Sequence, residues 1–212
     1  MTPYRAVIGF IVPIRQIVKH LPKKRQNLFF SATMPKEIAS LADEFLNKPQ
    51  RVSVAPVATT AERVSQQVVM VDAGAKATLL AQMLASPDFA RTIVFTRTKR
   101  GADRVSKTLD QAGVSSVAIH GNKSQGQRQG ALDAFKTGRA RVMVATDIAA
   151  RGIDVSGVSH VINFELPDVP ESYVHRIGRT ARAGKEGQAI SLVENAERPL
   201  LRQIERLTRQ EI

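Results

Sequence analysis

The 212-residue chain contains no cysteine and no tryptophan. Without cysteine there is no disulfide scaffold, no thiolate metal site and no Cys nucleophile. Only 5% of the residues are aromatic, so base stacking is a poor main source of nucleic-acid affinity. No apolar run approaches the roughly 20 residues of a membrane span, and the N-terminus is not built like a signal peptide. The four histidines, His20, His120, His160 and His175, lie too far apart to suggest a zinc pair, and no metal site is expected. These absences leave a cytoplasmic protein with no membrane partner. Its 43% hydrophobic residues suffice for a sizeable core.

What the chain has in excess is positive charge. Thirty-one Lys and Arg stand against 19 Asp and Glu, net +12. Residues 91–141 alone hold 11 basic and 3 acidic residues, net +8. Two readings fit such a cluster: a solvated helix face, or a surface for a polyanion.

Period and punctuation predict alternating strands and helices. Short β-branched runs fall at 67–71, 92–95, 116–119, 141–145, 160–164 and 188–193. Helix-like stretches lie between them at 75–84, 100–112, 124–135 and 170–177, with an amphipathic helix closing the chain at 196–209. Ile93-Val94-Phe95 and Val142-Met143-Val144 are apolar on both faces, as when helices cover both sides of a parallel sheet. The expected fold is therefore a doubly wound α/β domain over 64–212. Residues 1–55 predict helices at 12–20 and 36–45 and strands at 27–30 and 51–54, too few to bury their own apolar faces. A linker at 56–63, with Pro56, Thr59 and Thr60, separates the two parts. The chain reads as one complete domain preceded by the tail of another.

In open parallel sheets, ligands bind outside the carboxyl ends of the strands. Here the strands are followed by Thr96-Arg97-Thr98, by His120-Gly121-Asn122-Lys123 and by Thr146-Asp147. Each group opens a helix, whose first backbone N–H groups favour an anion. Helix capping alone would account for Ser124 and Asp147. The repetition at three strand ends, beside the basic cluster, would equally suit a phosphate backbone laid across the sheet edge.

Two further runs stand out. In Asp147-Ile-Ala-Ala-Arg151-Gly152-Ile153-Asp154, Gly152 would allow close backbone approach and Asp154 would accept bonds from a ribose; an ordinary Gly-x-Asp turn fits equally. In His175-Arg176-Ile177-Gly178-Arg179-Thr180-Ala181-Arg182, Arg179 and Arg182 are spaced to share a helix face. Such a pair suits a transferring phosphoryl group, or a surface pair bridged to Glu171 or Glu186. No G-x-x-x-x-G-K-[ST] loop occurs in the 212 residues, and no strand ends in paired carboxylates for Mg²⁺.

At these residues the sequence resembles the C-terminal half of a DEAD-box ATP-dependent RNA helicase, most like the bacterial RhlE-type branch. Ser31-Ala32-Thr33 resembles the family's third motif, and 93–99 its fourth, with Gln125-Gly126-Gln127-Arg128 fitting the Q-x-x-R element. Residues 145–155 (ATDIAARGIDV) resemble motif V and 175–182 (HRIGRTAR) motif VI, with Ala181 where many members have Gly. The resemblance implies a RecA-like parallel sheet, preceded by the remnant of a first RecA-like domain. It implies Thr98, Gly121, Arg128 and Thr146 on an RNA backbone, and Gly152 and Asp154 at the ATP ribose. Arg179 and Arg182 would be arginine fingers on the γ-phosphate, with His175 linking motif VI to the first domain. Ser31 and Thr33 would couple nucleotide state to domain closure. ATP with Mg²⁺ would be held mainly by a first domain absent from these residues, so a protein or domain supplying that half is an expected partner. A catalytically inactive RNA-binding module and a DNA-acting relative are the competing readings.

Overall fold

A computed structural model describes residues 4–31, 34, 36–53, 64–150, 155–181 and 186–212. The chain divides into two compact units, Met1–Val57 and Ala58–Ile212.

In the first unit, α1 (Tyr4–Lys19) and α2 (Lys36–Phe45) are joined by a fork from Arg15, which donates to Glu44 Oε1 at 2.8 Å and Oε2 at 2.7 Å. Helix α1 begins well before the expected residue 12 and runs through Pro13, whose ring removes one helical hydrogen bond. The expected strand at 27–30 does not form. Leu28 and Phe30 are 71% and 88% exposed, and Asn27 instead donates its side-chain amide to Phe45 O at the end of α2. Residues 51–53 are not a strand either, while residue 54 lies outside the described residues. The physical reason is common to both: a strand needs a ladder partner, and among the described residues this unit offers none.

The second unit is built on a six-stranded, all-parallel sheet. Its strands are β1 (Val64–Met70), β2 (Thr92–Phe95), β3 (Ser116–Ile119), β4 (Val142–Ala145), β5 (His160–Asn163) and β6 (Gly187–Val193), in spatial order β1-β6-β5-β2-β4-β3. Between them run α3 (Lys76–Ala85), α4 (Lys99–Gln111), α5 (Gln125–Lys136), α6 (Asp147–Ala150) and α7 (Pro170–Ile177); α8 (Arg198–Thr208) closes the chain. This is the expected RecA-like α/β architecture.

The doubly apolar strands explain why the sheet is covered on both sides. Val94, Val142, Val144 and Ile162 pack with Leu80 and Leu84 of α3 and with Ala102, Val105 and Leu109 of α4. Their sequence neighbours Ile93, Phe95, Met143, Ala145 and Val161 point the other way, onto Phe135 of α5 and Ala149 and Ala150 of α6. The period of two within each strand thus feeds two separate cores. Chain order reverses around β2, because β4 lies on one side of it and β5 on the other. That reversal makes the carboxyl ends of β4, β2 and β5 the switch point of the sheet, where open α/β sheets bind ligands.

Candidate nucleic-acid interface and nucleotide-facing turn

The sheet brings together what the sequence spaces far apart. Strands β2, β4 and β3 are consecutive neighbours, so the residues after their carboxyl ends line up side by side about 4.8 Å apart per strand. Thr98 follows β2, Thr146 follows β4 and Gly121 follows β3. Thr98 is exposed and caps α4, its hydroxyl accepting from Gly101 N at 2.9 Å. Thr146 is buried and opens α6, its carbonyl accepting from Ala149 N and Ala150 N. Gly121 is exposed, and a Cβ placed there would meet only the flexible end of Lys99. Arg128 lies in the first turn of α5, its Nε tucked away from solvent with no partner among the described residues. Gln127 completes a capping box with Ser124, so the cap reading of Ser124 holds.

The β2 and β3 loops are stitched to each other. Lys99 Nζ donates to Asn122 Oδ1 at 2.7 Å, and Asp103 Oδ1 lies 2.9 Å from Lys123 Nζ. His120, buried beneath Gly121, accepts from Asn122 N on Nδ1 and turns Nε2 to within 2.9 Å of Asp103, though off the line of a good hydrogen bond. The nearness of His120 first and Lys123 second holds the Asp103 carboxyl below its ordinary range.

Asp147 is not a cap. Its two oxygens are taken by Arg176 Nε at 2.6 Å and a terminal nitrogen at 2.9 Å. Arg176 is 1% exposed; its remaining terminal nitrogen donates to Glu165 O at 2.7 Å and Asn163 Oδ1 at 3.1 Å, and the guanidinium lies 5.1 Å from the Phe95 ring centre. One side chain from α7 thereby joins the ends of β4 and β5 across the last residue of β2. Sequence reasoning passed over Arg176. The available signal was its place among the buried residues of α7, beside Tyr173, Val174 and Ile177.

A second unforeseen network lies alongside. Lys76, 2% exposed, reaches Glu197 Oε2 at 2.5 Å, Glu194 Oε1 at 3.4 Å and Phe164 O at 3.1 Å. The buried Glu197 also accepts from Leu166 N, while Glu165 accepts from Arg97 N beside Thr98.

Of the pair expected to share a helix face, Arg182 lies outside the described residues and Arg179 lies beyond the helix. Helix α7 ends at Ile177, and Arg179 sits in the turn that follows, its Nε donating to His175 O at 3.2 Å. The turn is pinned by the buried Thr180, whose hydroxyl donates to Val158 O at 2.6 Å. Gly187 at the start of β6 makes room, since a Cβ there would overlap Thr180 and the Ala181 amide. Ala181 has φ +53°, a left-handed conformation that burdens any residue with a Cβ. Ala181→Gly is expected to raise stability by up to about 1 kcal/mol in urea unfolding, relief of the left-handed strain exceeding glycine's added unfolded-state entropy. Arg182, Gly152, Asp154 and Thr33 lie outside the described residues, while Ser31 is described and exposed.

Among the described residues no helix is long and apolar enough to cross a membrane, and no group of three or more His, Asp or Glu could hold a metal ion. With Asp147 committed to Arg176, these residues do not fit a Mg²⁺ site.

Comparison with known proteins places this architecture. The helicase conserved C-terminal domain family matches residues 75–184, slightly more than half of the chain. ATP-dependent RNA helicase CshA of Listeria monocytogenes is 45% identical over 204 residues, 95% of this chain and 39% of that protein. RNA helicase CrhR of Synechocystis is 47% identical over 206 residues, 97% of this chain and 42% of that protein. The chain thus spans about two fifths of the length of these curated relatives. Among solved structures, E. coli DEAD-box protein SrmB, bound to RraA, is 41% identical with a TM-score of 0.66, covering 70% of this chain and 87% of that one. S. cerevisiae Dbp5 bound to RNA and ADP BeF3 is 27% identical with a TM-score of 0.84, covering 96% and 54%. Matched both by the helicase domain family and by relatives along most of its length, the chain belongs to the DEAD-box RNA helicase family and carries its helicase C-terminal domain.

Proposed function

We propose that this chain acts as the C-terminal RecA-like part of an ATP-dependent RNA helicase, of the RhlE-type branch. The observation that carries the reading is the adjacency of three helix-opening strand ends, after β2, β4 and β3, beside the basic cluster. RNA phosphates lie along that row, met by Thr98, Gly121, Arg128 and Thr146. Arg179 and Arg182 face the γ-phosphate of ATP, His175 links their turn to the first domain, and Gly152 and Asp154 face the ribose. Ser31 and Thr33 belong to a remnant of a first RecA-like domain (1–55), joined through 56–63 to the C-terminal domain (64–212). Mg²⁺ and the phosphate cradle come from a first-domain half outside these residues. Hydrolysis in the completed site is coupled to local parting of a duplex.

The test uses this chain and a single-stranded RNA. With about four phosphates contacted, log K against log salt should slope near −3, at about 0.7 per phosphate. Arg128→Ala should flatten that slope by about 0.7. The chain alone should release no phosphate from ATP above an Arg179→Ala control, with or without RNA. Salt-dependent binding that persists when the missing half is supplied, still without hydrolysis, would favour the inactive RNA-binding module instead. A flat salt response would defeat both readings, and equal binding to the matching DNA would move the site to DNA.

A further inference from the structure

Residues 91–141 contain three acidic side chains, and each has a distinct local task. Asp110 accepts from the Ser116 amide and hydroxyl at the start of β3, and Asp133 accepts from Gln129 within α5. Asp103 alone faces the cations of the Gly121 loop, with Lys123 Nζ and His120 Nε2 each 2.9 Å from the same oxygen. Lys123 lies two residues past Gly121 and immediately before Ser124, the cap of the helix that carries Arg128. It is therefore at the row of strand ends, yet its charge is matched.

The match is of a kind that exchanges readily. Asp103 is 50% exposed and Lys123 30%, so water weakens their attraction. His120 accepts from Asn122 N on Nδ1, which leaves Nε2 as the hydrogen-bearing nitrogen toward Asp103. If Lys123 swings away, His120 Nε2 remains beside the carboxylate, 2.9 Å from the same oxygen.

We propose that Lys123 is a further RNA-phosphate ligand held in reserve by Asp103, released when a phosphate reaches the Gly121 loop and takes the place of the carboxylate. This rests on the RNA reading of the strand ends given above. Asp103 then tunes affinity from outside the contact set, since each bound phosphate at this loop must displace it.

The test is Asp103→Asn, which keeps the size of the side chain while removing the competing charge. Asp88→Asn, exposed and in the loop before β2, serves as the charge-matched control. Binding of single-stranded oligouridylate should tighten about fivefold at 0.1 M salt relative to Asp88→Asn, and the salt slope should steepen by about 0.7, because no freed carboxylate then takes back the cation that the Lys123 contact releases. Adding Lys123→Gln to Asp103→Asn should erase the gain. A gain that survives Lys123→Gln, or no gain over Asp88→Asn, overturns the proposal. If the wild type binds with the expected slope and Arg128→Ala weakens it, those results remove the Lys123 inference alone. A flat salt response in every variant removes the RNA reading with it.

Discussion

Replacing Arg176 with alanine should destabilise the C-terminal domain by about 3–5 kcal/mol, the cost of breaking a buried ion pair from one side. The guanidinium is 1% exposed and supplies hydrogen bonds to Asp147, Asn163 and Glu165 O at once. Its loss strands acceptors on two strand ends and opens a void against Phe95. For a domain near 150 residues this is a fall in Tm of roughly 6–20 °C. Arg176→Lys should recover only part, because an ammonium cannot present the planar fork that spans β4 and β5. Asp147→Asn combined with Arg176→Ala should cost less than the two single changes added, since the stranded charge is gone. Urea unfolding decides the matter, and a loss below 1 kcal/mol for Arg176→Ala would show the fork to be incidental.

The second large effect is expected at Glu197. Glu197→Gln leaves the Lys76 ammonium buried with Glu194 at 3.4 Å as its remaining anion, and should cost about 3 kcal/mol. Lys76→Met should be milder. In that variant Glu197 still accepts from Leu166 N and Glu194 N, and Arg97 stays within 3.4 Å. Combining the two changes removes both charges and should be more stable than Glu197→Gln alone, since a buried pair replaced whole is often neutral. Equilibrium unfolding of the three variants tests this; strict additivity would mean that Lys76 and Glu197 act independently.

Much of the domain was legible in the residues. Strands β2 and β3 and helix α7 fall where the sequence reading puts them, the other elements of the second unit with an expected range shift by three residues or fewer, and the short α6 had no expected range. These elements are decided by nearest neighbours: β-branched runs apolar on both faces, helices with apolar stripes, and caps such as Thr98 and Ser124. The first unit shows the limit of the same reasoning. Leu28-Phe29-Phe30 has the composition of a strand, but composition cannot supply the partner whose backbone would complete the ladder. The end of helix α7 is also set by contacts distant in sequence: it stops at Ile177, before Arg179, and Thr180 ties the following turn to Val158 O.

By itself, the sequence determined the class of the fold, the helix-opening polar residues at the strand ends and the family they belong to. These are local properties, carried by side-chain period and by motifs a few residues long. Only the tertiary structure decided which strand ends stand side by side. The order β5-β2-β4-β3 is set by crossover connections and packing, and it makes neighbours of Thr98, Gly121 and Thr146. It also decided that Asp147 serves Arg176 rather than its own helix, and that Asp103 answers Lys123 across two loops. A charge takes the nearest available partner in space, and that distance is fixed by the sheet rather than by position along the chain.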